Sequence, residues 1–141
     1  MWPRTFAERL DAWNQLREQS SHASLEQALI DINSWWFQPT WRAYHLHWDD
    51  RLTWPDPWQL LDDNLFCSLA RGLGILYTIA MLDRDDLGDI ALAEVNGDNL
   101  VLVEQKKYIL NWDQEQIVNI NLGAINPKRI VSLEQIKQQI K

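Results

Sequence analysis

TWPDPWQLLDDNLFCSLARGLGILYTIAML, residues 53–82, is the stretch whose reading decides the fold. It opens with a helix start written three ways: Asp56 can cap, Pro57 suits the first helical position, and Gln59 stands where a capping-box partner belongs. From Leu65 to Leu82 the residues are mostly apolar, more so than in any other segment, so the spacing predicts one long central helix over 57–83. Gly72 and Gly74 would each cost that helix roughly 1 kcal/mol relative to alanine. Either it bends there or a neighbour packs against bare backbone. As a membrane span the run is poor, because Arg71 sits near its middle, where a charge costs roughly 2.5–3.5 kcal/mol. A buried core helix is the better reading, and Arg71 then needs a partner such as one of the nearby aspartates.

Upstream, Thr5 with Glu8 makes a capping box, and Phe6, Leu10, Trp13 and Leu16 follow at helical steps, giving a helix over about 6–18. Ser20–Ser24 reads as a polar linker. Ser24 with Gln27 starts a second helix that Pro39 ends. The two make a helical pair over 1–38. A Trp- and Pro-rich connection spans 39–56, and its Trp41–Trp48 portion alternates as a short strand or extended loop would.

Downstream, Asn96-Gly97 between two apolar runs is a hairpin signal, since a tight primed turn needs positive φ. Tyr108–Trp112 and Ile117–Leu122 extend it into an antiparallel meander over 89–122. Asn126-Pro127 breaks the pattern, and Ser132 with Gln135 starts a closing helix over 132–140. Helices followed by strands in runs indicate a single α+β domain.

Composition narrows the function. The chain has 141 residues, a formal charge of -7 and one cysteine, Cys67. An acidic balance argues against phosphate-backbone binding, so no nucleic-acid partner is expected. One cysteine allows no internal disulfide, and the N-terminus lacks a signal-peptide pattern. No cofactor is implied.

Two constellations could carry metal-dependent hydrolysis. His45, His47 and Asp49 stand at alternate positions and on a strand would share one face, as metal ligands can. This string resembles the H-x-H-x-D-H motif of metallo-β-lactamases, with Asp50 in place of the last histidine and without that fold's length. Glu104-Gln105-Lys106 resembles the E-x-K of PD-(D/E)xK nucleases, and a two-residue turn at Asn96-Gly97 would set Asp89 opposite Glu104. Two carboxylates and Lys106 could then hold Mg²⁺ and activate water. Polar residues at an aromatic edge and at a frayed hairpin end are the simpler accounts. Cys67 could be activated at a helix start, but no histidine follows it, and a small buried hydrophobe is the simpler role.

The tryptophans weigh more. There are nine, eight of them before residue 60. Trp joins a large apolar area to a polar N–H and is favoured in cores and interfaces alike. Trp35, Trp36, Trp41, Trp48, Trp54 and Trp58 are the candidate docking residues. The strings SWWFQPTWRAYHLHWDD and WPDPWQLL with the Cys-bearing helix, roughly residues 25–82, resemble small Trp-rich proteins of tailed bacteriophages, particularly contractile-tailed cyanophages. That resemblance implies a virion or assembly component of the tail or baseplate, found in the virion or host cytoplasm, contacting other subunits of a multi-subunit assembly. It supplies no catalytic residues, and a non-enzymatic role is the expectation.

Overall fold

The computed structural model describes residues 2–39, 46–64, 67–82, 84–103, 107–112, 118–119 and 127–136. Helix α1, Phe6–His22, starts as its capping box predicts, with the Thr5 hydroxyl accepting the Glu8 N–H at 3.1 Å. It continues through the expected linker to His22, leaving only Ala23 and Ser24 before α2, Leu25–Trp36. The extra turn is held from outside: the Arg84 guanidinium donates to the carbonyls of Ser20 and Ala23. Ser24 caps α2 through the Gln27 N–H.

The single central helix over 57–83 is replaced by two. Helix α3, Pro57–Asp63, has the expected Asp56 cap, whose carboxylate accepts the Gln59 N–H at 2.8 Å. It ends at Asn64, which adopts φ 56° and ψ 36°, the left-handed conformation that stops a helix. Helix α4, Ser68–Ala80, then restarts after Cys67, whose sulfur accepts the Ala70 N–H at 3.5 Å. The apolar pattern continues across the break, which is why periodicity alone joins the two.

Helix α4 packs against α2 and α3 on one side and the sheet on the other. Ten of its thirteen residues are buried. Residues two apart on a helix point roughly 200° apart, and the two glycines use this. A Cβ on Gly74 would lie 2.6 Å from the Trp36 ring of α2. A Cβ on Gly72 would meet Leu92 at 3.0 Å and Asn111 at 3.2 Å on the sheet side. Close approach on both faces explains the glycines; neither bends the helix.

The sheet has the order β4-β3-β2-β1-β5 and is antiparallel throughout. Strands β1, Ile90–Val95, and β2, Asp98–Val103, form the expected hairpin, with φ of 51° at Asn96 and 87° at Gly97. Strand β3, Tyr108–Leu110, and the two residues β4, Val118–Asn119, complete the described meander. Strand β5, Arg129–Ser132, was not expected: it returns to pair with β1, so Ser132 is a strand residue opposite Ala91. Helix α5 follows as Leu133–Ile136, with the Ser132 N–H donating to Gln135 Oε1. Leu92, Val101, Leu110 and Val131 face the helices in the main core. The other face carries a second buried cluster of Ala93, Leu100, Leu102 and Ile109.

Candidate functional site: the cleft beside the Trp48–Thr53 turn

His47 is extended, and Trp48–Thr53 then forms a 3₁₀ turn kinked at Asp50 (φ -111°, ψ 46°). The alternating face expected for His45, His47 and Asp49 does not extend to Asp49. Asp49 lies inside the turn, so period-two spacing ends at His47, and His45 lies outside the described residues. Tryptophan pins the turn to the body. The Trp48 indole donates to Asn99 Oδ1 at 2.8 Å, the Trp54 indole donates to the His47 carbonyl at 2.8 Å, and the two rings meet edge-on at 5.4 Å. Trp54 is buried, and beneath it the Tyr77 hydroxyl donates to the Pro55 carbonyl at 2.8 Å. Desolvation pushes the Tyr77 hydroxyl pKa up, keeping it a neutral donor.

The turn, the start of α4 and the β1–β5 edge line an open cleft of about 470 Å³. That size lies within the range of small-ligand sites. His47, Trp48 and Asp49 line one wall, Cys67 and Ser68 the second, and Glu94, Asn99 and Arg129 the third. Arg129 bridges two walls: one guanidinium nitrogen lies 3.0 Å from Asp49 and another 3.7 Å from Glu94. Glu94 and Arg129 are opposite each other in the β1–β5 register, so the unexpected strand builds this wall. The Glu94 side chain is only 22% exposed. Its buried Oε1 accepts no hydrogen bond from any described residue. Two carboxylates against one guanidinium leave the cleft acidic.

Behind the cleft lies a polar network. Asn99 donates to Ser68 Oγ at 3.3 Å, and Asn111 donates to the carbonyls of Ser68 and Asn99 at 3.0 and 2.5 Å. Asn33 of α2 accepts the Asn111 backbone N–H at 2.8 Å. Arg71 also ends here, donating to Asn111 Oδ1 at 2.9 Å with its guanidinium 4.0 Å from the Phe37 ring centroid. Among the described residues an amide and an aromatic face receive this half-buried cation, and desolvation lowers its pKa.

The other expected site residues divide. His47 and Asp49 share the cleft. Asp89 is exposed just beyond β1, while Glu104 and Lys106 lie outside the described residues. Among the described residues no group of three His, Cys, Asp or Glu side chains is disposed to hold a metal ion. Of the docking tryptophans, Trp36 and Trp54 are interior and present no surface. Trp35, Trp48 and Trp58 are half-buried, and Trp41 lies outside the described residues. Trp35 packs edge-on against Trp2 at 4.7 Å and Trp36 at 5.0 Å, and Trp58 meets Trp13 edge-on at 6.1 Å.

Among the described residues the most exposed large apolar side chains are others: Leu52 at 92%, Trp112 at 60% and Ile130 at 49%. Leu52 crowns the clamped turn. No described helix is long and apolar enough to cross a membrane. The chain matches no known protein family, no curated protein and no solved structure.

Proposed function

We propose that this chain is a structural or assembly subunit of a bacteriophage particle, in its tail or baseplate, acting by docking on a neighbouring protein subunit. The assignment to a phage particle rests on the sequence resemblance over residues 25–82. The docking role rests on one observation: Leu52 stands 92% exposed on a short turn clamped by Trp48 and Trp54. An apolar residue on a turn already held in place loses little conformational freedom on binding, which lowers the cost of docking. The tryptophans of 48–54 thus serve as the mount more than as the contact surface. That changes the informative substitution. Trp54→Ala would test the fold, whereas Leu52→Asp tests docking.

The experiment is quantitative mass spectrometry of density-purified particles, comparing this chain with shell and tail subunits. A fixed ratio is expected for the natural chain, or for an assembly factor a defined intermediate that carries it. With Leu52→Asp, that association should fall while the thermal midpoint of the isolated protein stays the same. Undiminished incorporation of the Leu52→Asp chain would overturn the docking role.

A further inference from the structure

We infer that two copies of this chain pair through the outer edge of β5, antiparallel and about a two-fold axis at Ile130, so that their sheets join into one. This contact uses the edge alone and is separate from the docking of Leu52. The hydrogen-bond parity of the sheet fixes which way Ile130 faces. Val95 and Asp98 flank the two-residue turn at Asn96-Gly97 and therefore bond to each other. Bonding alternates from there: Ala93 and Ala91 also bond to β2, while Glu94 and Leu92 bond to β5. Their partners Arg129 and Val131 turn their backbone groups to β1, so Ile130 turns its N–H and C=O outward. Strand β5 is last in the sheet order, and no described residue bonds to Ile130 from that outer side. An edge N–H and C=O of this kind are met by another extended backbone.

On both sides of Ile130 the edge is closed. The Lys128 N–H turns inward to the Glu94 carbonyl at 2.7 Å, and the Ser132 N–H donates to Gln135 Oε1 at 2.9 Å. A long strand of another protein would find only one residue to pair with. A second copy matches that single residue: each Ile130 N–H donates to the Ile130 carbonyl of the other copy, and both bonds form at the axis. The side chains agree. Ile130 is 49% exposed, and in this register the two isoleucines face each other on one side of the joined sheet. Exposed Lys128 stands opposite Ser132 of the other copy, directly before that copy's α5 and its exposed Glu134. These opposite charges meet twice by symmetry. Pairing uses up the edge, so association closes at two copies. A contact this short is weak, with a dissociation constant on the order of millimolar.

The test is a dilution series of the full chain from about 2 mM to about 0.05 mM, spanning that affinity, with translational diffusion and amide shifts read by ¹H–¹⁵N NMR. Diffusion should slow toward that of a dimer as concentration rises. The Ile130 amide should shift with it, while the Val131 amide, bonded to β1, stays in place. Ile130→Pro removes the outward N–H and leaves the β1 ladder intact, at an edge position where proline is tolerated. That chain should diffuse as a monomer throughout. The register is read by cross-linking with oxidised glutathione in a Cys67→Ser background. Ile130→Cys should form a disulfide between copies, because bonded antiparallel pairs hold their Cα atoms about 5.5 Å apart. Lys128→Cys should do so at least about tenfold more slowly, since its own counterpart lies several residues away in this register. The two cysteine variants decide the matter if the proline chain does not fold. Monomeric diffusion of the natural chain at the highest concentration would overturn the inference. So would equal cross-linking of the two cysteine variants, or a concentration dependence that persists in Ile130→Pro.

Discussion

Thr78 is the residue on which most of the helical core converges. Its hydroxyl accepts the Trp13 and Trp36 indole N–H groups, each at 2.9 Å, and donates to the Gly74 carbonyl at 2.7 Å. One donor and two acceptor sites are all a hydroxyl has, and all three are used. Thr78→Val keeps the shape and removes the acceptor of two buried indoles, at about 1–3 kcal/mol for each. Chemical denaturation should show a loss larger than one ordinary hydrogen bond; a change below about 1 kcal/mol would refute this role. Arg9 shows a related economy. It sits fully helical among apolar neighbours, yet its buried guanidinium donates to the Leu61 carbonyl at 2.6 Å and the Arg4 carbonyl at 2.8 Å. Arg84, which holds the end of α1, is itself oriented by Asp86 at 2.7 Å. That hydrogen bond depresses the Asp86 pKa. Its contribution is complete above the unfolded-state value and is lost as pH falls through the folded-state value. The thermal midpoints of the natural chain and Asp86→Asn should therefore differ near neutrality and converge in acid. A gap constant with pH would contradict the linkage.

At the scale of elements, the two glycines of α4 predict unequal results for the same substitution. Alanine at either position gains helix propensity, about 1 kcal/mol. At Gly74 the new methyl would strike a buried ring held by neighbours, and overpacking of that kind costs about 1–3 kcal/mol. At Gly72 the nearest atoms are side-chain tips, Leu92 at 3.0 Å and Asn111 at 3.2 Å, and a shift of a few tenths of an ångström relieves them. Gly74→Ala should lower the melting midpoint, and Gly72→Ala should leave it nearly unchanged; a reversed order would show that the helix is not squeezed between Trp36 and the sheet. Asn64 sets the break between α3 and α4. In its left-handed conformation a β-carbon costs about 1–2 kcal/mol, which asparagine mitigates by local bonding. Its side chain also accepts the Trp2 indole N–H at 2.7 Å. Asn64→Ala should therefore destabilise more than Asn64→Gly, which keeps the turn and loses only the Trp2 bond. Equal losses in denaturant titrations would assign the whole effect to Trp2.

At the scale of the molecule, the aromatic richness divides by task. Trp13 and Trp36 fill the space between helices, while Trp48 and Trp54 fix a turn that would otherwise be a loop on the sheet's flank. The consequence reaches the proposed assembly role. Trp48→Phe retains most of the ring and loses the bond to Asn99, so it should loosen the turn without unfolding the domain. Hydrogen exchange at Arg51 and Trp54 should accelerate while exchange in α4 stays slow; parallel acceleration in both would mean the turn belongs to the core.

Much of this architecture was legible in the sequence because its cause is local. The caps at Thr5, Ser24 and Asp56, the Asn96-Gly97 hairpin and the α+β order follow from short-range hydrogen bonding and side-chain period, which neighbours in sequence settle. What the chain does in space at Asn64, Pro127 and Trp48 is decided elsewhere. A left-handed residue interrupts an unbroken apolar pattern, and strand β5 exists because β1 offers an edge to pair with. Trp48–Thr53 folds as a turn because Asn99 and Trp54 hold it. The cleft depends on all three, since Glu94, Arg129, Asp49 and Cys67 lie far apart along the chain. The sequence by itself determined the kinds of elements, the acidic charge and the abundance of tryptophan. Only the tertiary structure decided which tryptophans are core and which leucine is left exposed, because burial is set by long-range packing that periodicity does not record.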